Sequence, residues 1–355
     1  MSNLKKIILG VLLLGLVFMT VIAYKVYQTF FTPNTNFTEA QYEVRIPTGA
    51  DYKTAYKLVA DAVQDRDAFH TTAIKKGYQN TVKPGRYFIQ KGANNNAIIN
   101  TLRSGNTAIK LKFNNQERLE DLAGRIAQQL EVDSLTMLNS MRNEAFLAEN
   151  GFTQENALSM YLPNQYEVYW NSSAENLREK MLNEYHKFWN EERLAKAKNI
   201  GLTPLEVSAV AAIVQKETAM STERPKVAGV YMNRINKGMQ LQADPTVIYA
   251  KKLVENNFNQ VIKQVLFKDL EVDSPYNTYY KNDDDTMKYP IIPPGPIFMP
   301  DLNAIEAVLN YEKHDYLFFV ADVENFGYHK FAKTGAQHSA NAAVYHAWVA
   351  KQGYR

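Results

Sequence analysis

Thr203-Pro204-Leu205-Glu206-Val207-Ser208-Ala209-Val210-Ala211-Ala212-Ile213-Val214-Gln215-Lys216-Glu217-Thr218 is the stretch from which the rest of the chain is read. Thr203 and Glu206 have the spacing of a capping box, in which two side chains satisfy each other's backbone amides. Pro204 takes the first helical position, where its missing N–H is not needed. The pattern predicts a helix running to Glu217. At about 100° per residue, Val207, Val210, Ala211 and Val214 share one apolar stripe, and Glu217 falls within about 20° of Val210 at its edge. Lys216 points to the opposite side. A carboxylate carried to the buried side of its helix loses water, which disfavours its charged form and raises its pKa. A general acid working near neutral pH needs that property. From pattern alone, a glutamate in a last helical turn also reads as a half-solvated surface group.

Outward from that helix, the N-terminus is the most informative region. Lys5 and Lys6 precede an almost uncharged run over residues 7–24. About eighteen residues at roughly 1.5 Å each span about 27 Å, close to a bilayer core. Positive charge ahead of the run predicts a cytoplasmic tail over residues 1–6, a transmembrane anchor over 7–27 and the remainder outside. A cleaved signal peptide is the rival reading, because Val21-Ile22-Ala23 offers a small-residue cleavage pattern. Thr32-Pro33-Asn34-Thr35-Asn36 reads as part of a linker over residues 28–41.

A small α/β unit is expected over residues 42–108. Residues 42–46 alternate as a strand, and Tyr52, Ala55, Tyr56, Val59 and Val63 have helical spacing. Lys83-Pro84-Gly85-Arg86-Tyr87 turns into a second strand. A further helix through Ile98, Ile99 and Leu102 closes at Ser104-Gly105. Residues 109–113 alternate as a strand leading into a larger domain over 109–355, with helical patterns over 118–130 and 177–198. Residues 161–166 read as a loop or extended segment, and Asp283-Asp284-Asp285 as a solvated loop. The expected fold class is α+β: an N-terminal transmembrane helix, the small α/β domain and a larger mixed α+β domain.

Composition narrows the function classes. The 355-residue chain is 46% hydrophobic, carries a net charge of only +3 and contains no cysteine. A basic nucleic-acid face, a disulfide framework and a thiol nucleophile are therefore not expected. His329 and His338 stand nine apart with no recognised ligand spacing, so no metal and no cofactor are predicted. Asp244 is the carboxylate near Glu217 in sequence that could serve as a second catalytic group. Ahead of Pro245 it also reads as a turn residue capping the segment that follows.

The run 211–218 resembles the signature helix of the YceG-like endolytic murein transglycosylases, and the likeness continues in register through 223–231, 233–235 and 238–249. Ser274-Pro275-Tyr276-Asn277-Thr278-Tyr279, Pro293-Pro294-Gly295-Pro296-Ile297 and residues 316–321 are similar to further blocks of that family. His329, Phe331, Thr334 and His338 are similar to its C-terminal block, and the unit from about 44 to 105 to its LysM-like domain. Several positions depart from the family. Gln215 stands where an acidic residue is common, residues 282–289 look like an extra loop, and Ile291-Ile292 replaces Gly-Leu. Tyr328 replaces a glycine and Gln337 a glutamate.

The resemblance implies endolytic cleavage of the β-1,4 bond between N-acetylmuramic acid and N-acetylglucosamine in nascent peptidoglycan strands, without water and with 1,6-anhydro ends as product. Glu217 is then the catalytic residue, and Gln242, Asp244, Asn277, Tyr279 and His329 are expected to bind substrate. It also implies a single-pass protein of the cell inner membrane with its catalytic domain on the periplasmic side, acting beside peptidoglycan synthases. An inactive peptidoglycan-binding scaffold and a hydrolytic muramidase are the alternatives.

Overall fold

A computed structural model describes residues 3–352 of the chain. Helix α1 (Asn3–Phe31) has no buried residue, and an 18-residue window within it has a mean hydropathy of 2.7. Among the described residues it is the one unbroken helix long and apolar enough to cross a membrane, and a signal sequence passes the same test.

The chain then forms two compact units. The first comprises residues 1–111, 129–132 and 166–173, and the second residues 112–128, 133–165 and 174–355. The segments 129–132 and 166–173, expected in the larger domain, thus cluster with the smaller one.

In the first unit β1 (Gln41–Ile46) pairs antiparallel with β2 (Gly85–Gln90), from Gln41 opposite Gln90 to Ile46 opposite Gly85. Period-two alternation turns Val44, Ile46, Tyr87 and Ile89 into one core with Ala55, Val59, Phe69, Ile98, Ile99 and Leu102. These come from α2 (Tyr52–Val59), α3 (Arg66–Lys75) and α4 (Asn95–Ser104), whose N-termini are capped by the side chains of Asp51, Asp65 and Asn94. Gly85 has φ +149°, and a Cβ there would overlap the Asn106 side chain, whose Oδ1 accepts from the Arg86 amide at 3.0 Å.

The expected linker over 28–41 overlaps the end of α1 and is tied down by hydrogen bonds. Helix α1 runs on to Phe31 and packs against α3 and α4. The Thr29 carbonyl accepts from Asn95 Nδ2 at 2.7 Å and from the Thr72 hydroxyl at 3.2 Å. Asn34, 4% exposed, donates to Asn95 Oδ1 at 2.7 Å and accepts from the Asp65 amide at 2.6 Å. Polar groups read as loop chemistry instead serve as partners for the open ends of two helices.

Strands β3 (Ala108–Phe113) and β4 (Asn164–Tyr169) form a two-stranded sheet where the chain passes between units. The extended alternative for residues 161–166 therefore holds from Asn164. In the second unit come α5 (Leu119–Ala127), α6 (Ser134–Met141), α7 (Glu144–Glu149), α8 (Ala174–Phe188) and α9 (Glu191–Asn199). The single pattern expected over 177–198 is broken because Asn190 caps a new helix.

Next follow α10 (Pro204–Glu217), α11 (Arg224–Asn236), α12 (Asp244–Val254), α13 (Leu302–Leu309), β5 (Phe318–Ala321), β6 (His329–Ala332) and α14 (Gly335–Gln352). The capping box at Thr203 and Glu206 is present on both sides. Helix α10 is more deeply placed than a one-sided stripe implies, since every residue from Val207 to Val214 is buried. It packs against α9, α11, α12 and α13, and its small side chains Ser208, Ala209, Ala211 and Ala212 admit neighbours on all sides.

Candidate active site

The site starts at the last residue of α10. Thr218 is extended, so the helix stops at Glu217 and leaves its side chain facing a cavity of about 340 Å³. Tyr231 and Arg234 stand three apart on α11 and so share a face. The Tyr231 hydroxyl donates to Glu217 Oε1 at 2.9 Å. Among the described residues Oε2 has no protein partner, and it is open to the cavity. Arg234 is buried and committed to main-chain carbonyls, with Nε on Leu317 at 2.8 Å and one Nη on Leu241 at 2.8 Å.

The opposite wall comes from the segment before α12. Gln242 takes φ +48°, donates its amide to the Thr278 carbonyl at 3.2 Å and leaves its side chain exposed at the rim. Asp244 opens α12 without capping it. Its Oδ1 accepts from the Tyr279 hydroxyl at 2.7 Å, which joins two of the expected residues in one contact. Phe318, Phe319 and His338 complete the lining.

Electrostatics single out Glu217. Burial in surrounding protein pushes its carboxyl up, the Tyr231 hydrogen bond opposes this, and the Asp244 charge adds to it, with Arg234 opposing in turn. The outcome is a group that titrates at about 7. Its surface is partly accessible through the cleft mouth, yet the protein packed behind it limits its hydration. Burial also drives the Tyr231 phenol far above its ordinary range, so it stays protonated and a donor. Such an arrangement can hold a proton at neutral pH, give it to an oxygen entering the cleft, and take another back.

Two expected residues lie elsewhere. Asn277 is 4% exposed and fully engaged. Its Nδ2 donates to the carbonyls of Leu270 at 2.9 Å and Val272 at 2.8 Å, and its Oδ1 accepts from the Tyr279 amide at 3.0 Å. It holds the turn that carries Tyr279 and does not face the cavity. His329 is turned to Glu223, whose carboxylate accepts from its Nδ1 at 2.8 Å and its amide at 2.7 Å. The Phe319 ring, 5.0 Å away and edge-on, faces the cavity in its place.

Among the polar lining residues, Tyr231, Arg234 and His338 are those that sequence reasoning did not assign to the site. All three fall in the family-like blocks, and for Tyr231 the signal was its place in the run that continues from Glu217. A larger cavity of about 380 Å³ is lined by Glu117, Arg118, Glu120, Arg142, Tyr249 and Tyr276 among others. Most of its charges neutralise one another in Glu117–Lys252, Arg118–Asp121 and Arg142–Glu120 pairs. Chemistry therefore favours the smaller one. No group of three or more metal-ligating side chains occurs among the described residues.

Comparison with known proteins gives concordant findings. The YceG-like family model matches residues 44–344. The endolytic murein transglycosylase of Bacillus subtilis (strain 168) is 29% identical over 315 residues, 83% of this chain and 82% of that protein. That of Streptococcus pneumoniae (strain ATCC BAA-255 / R6) is 36% identical over 148 residues, 42% of this chain and 24% of that protein. The crystal structure of the yceG-like protein lmo1499 from Listeria monocytogenes superposes with a TM-score of 0.53 at 26% identity, covering 85% of this chain and 99% of that one.

Proposed function

The chain belongs to the YceG-like family, and from that premise we propose that it is an endolytic peptidoglycan transglycosylase with Glu217 as its acid and base. One observation carries the reading: of the two carboxyls in the cleft, Glu217 is pushed up to about 7, with one oxygen held by Tyr231 and the other open. The names of relatives from Bacillus subtilis and Streptococcus pneumoniae support the same reaction class.

The bond cleaved is the β-1,4 link between N-acetylmuramic acid and N-acetylglucosamine, within a strand. Glu217 protonates the glycosidic oxygen as the C1–O bond breaks, and the leaving sugar departs with that proton. The C6 hydroxyl of the muramic residue then attacks C1, and its proton passes to the Glu217 carboxylate. A 1,6-anhydro ring closes, no water is consumed, and the acid is restored. Ordinary glycosidases need a second carboxyl to attack or to activate water. Here the nucleophile is tethered to the reacting carbon, and proximity replaces that group. Asp244, held by Tyr279, adds negative charge that favours the cationic sugar, and Gln242 grips the strand at the rim.

The family resemblance supports a LysM-like assignment for residues 42–108 and a catalytic one for 109–355. Helix α1 is the anchor of a single-pass inner-membrane protein, and the Lys5–Lys6 charge supports an orientation with both domains on the periplasmic side. Strands fresh from peptidoglycan synthases are the natural substrate there.

Digestion of purified glycan strands, with products weighed by mass spectrometry, tests the reaction. Anhydro ends are expected, and a Glu217→Gln variant that binds strands without cutting them. Ends carrying one added water would make the protein a muramidase, and binding without cleavage by the native chain would make it a scaffold.

A further inference from the structure

The polar groups of the cleft are unevenly matched to a sugar. Tyr231 and Tyr279 have their hydroxyl protons on Glu217 and Asp244, and Arg234 has its Nε and one Nη on backbone carbonyls. Asp244 on α12 offers only acceptors, and the proton of Glu217 on α10 is committed to the glycosidic oxygen. Sugar hydroxyls and an amide N–H are served by acceptors, whereas an acetamido carbonyl oxygen needs a donor. Apart from the Gln242 amide at the rim, the second Nη of Arg234 is the donor left unbonded on that side.

His338 supplies a further, uncharged donor. Its ring lies nearly parallel to Phe318, with 5.3 Å between centroids and 19° between planes, and it lines the cavity. Nδ1 is sealed from solvent with no partner, whereas Nε2 is neither sealed nor bonded to another described residue. A buried orphan N–H is rarer and costlier than a bare lone pair, so the ring proton belongs on Nε2. The accessible edge of the ring is thus a donor edge. Burial and the nearby Arg234 charge both push the imidazole below its ordinary pKa, which keeps it uncharged at neutral pH.

We propose that His338 donates through Nε2–H to the acetamido carbonyl of the sugar held in the cleft, so that this histidine selects 2-acetamido sugars. The inference rests on the glycan-cleaving reading above and names the substrate group that the same site recognises.

The full-length protein in detergent tests it, with native, His338→Phe and His338→Gln forms on fully acetylated and chemically de-N-acetylated strands. Phenylalanine keeps the stacking on Phe318 without a donor, and glutamine restores an N–H. Cleavage of acetylated strands by the native protein is the preliminary reading, and its absence would sink the proposed function rather than this inference. Native protein should lose roughly 10- to 100-fold in kcat/KM on de-N-acetylated strands, the scale of one unmatched polar group in a site. His338→Phe should show a similar loss on acetylated strands and little further loss on the others, while His338→Gln recovers most activity. Unchanged kcat/KM in His338→Phe overturns the assignment. Losses that simply multiply, or a limb of the pH profile that vanishes with the histidine, overturn it equally, because they indicate another contact or an ionising role.

Discussion

At the scale of single residues, the Glu217 carboxyl makes opposing predictions for its two neighbours. The Tyr231 hydrogen bond lowers its pKa and the Asp244 charge raises it. Tyr231→Phe should therefore move the alkaline fall of kcat/KM to higher pH, and Asp244→Asn should move it lower, each by about half a unit to one unit. Profiles shifting in the same direction would refute this account. The same group makes stability depend on pH. Folded, it titrates at about 7 against an ordinary 4.5, so protonation favours the folded state. Its contribution is complete below the lower value and is lost as pH rises through the higher one. Glu217→Gln should thus melt a few degrees above native protein at pH 8 and alongside it at pH 4, by calorimetry. Legibility at this scale was uneven. Glu217 could be nominated because capping and periodicity aim it. Asn277 and His329 were expected to bind substrate from the family resemblance, which does not reveal that nearby carbonyls and Glu223 already hold them.

Helices and strands bring these side chains together through close backbone approaches. A Cβ on Gly229 of α11 would overlap the Glu312 carbonyl oxygen and the His314 ring. That segment is tied to α11, with Asn233 Nδ2 on the carbonyls of His314 at 2.7 Å and Tyr316 at 2.9 Å, and it leads directly into β5 and the cleft wall. Gly229→Ala should cost about 2 kcal/mol in a denaturant titration and raise KM, because the wall carrying Phe318 and Phe319 is displaced. Gln215 has an equally local explanation. Its Oε1 accepts from the Asp301 amide at 2.7 Å, which ties the end of α10 to the start of α13. Helix α10 was legible because its start is written in three residues. Helix α3 was not, since a short helix burying only Phe69, Thr72 and Ala73 carries too few apolar positions to set a period.

For the molecule as a whole, sequence reading anticipated an α+β chain with an apolar N-terminal helix but mistook how that helix is joined to the rest. Turn-forming residues between Phe31 and Gln41 look like a tether until their hydrogen bonds are followed. Asn34→Ala would leave the Asp65 amide and Asn95 Oδ1 without their partner, and amide exchange at Asp65 should quicken by at least tenfold. Unchanged exchange would mean that the junction is held by apolar packing alone. A helix seated this firmly behaves as the stem of the small unit. In the proposed anchored protein, bilayers of different thickness would impose different tilts on α1, and the small unit bonded to its end would lean with each tilt. Lipid thickness would then be read in the lean of that unit, without any dedicated sensor.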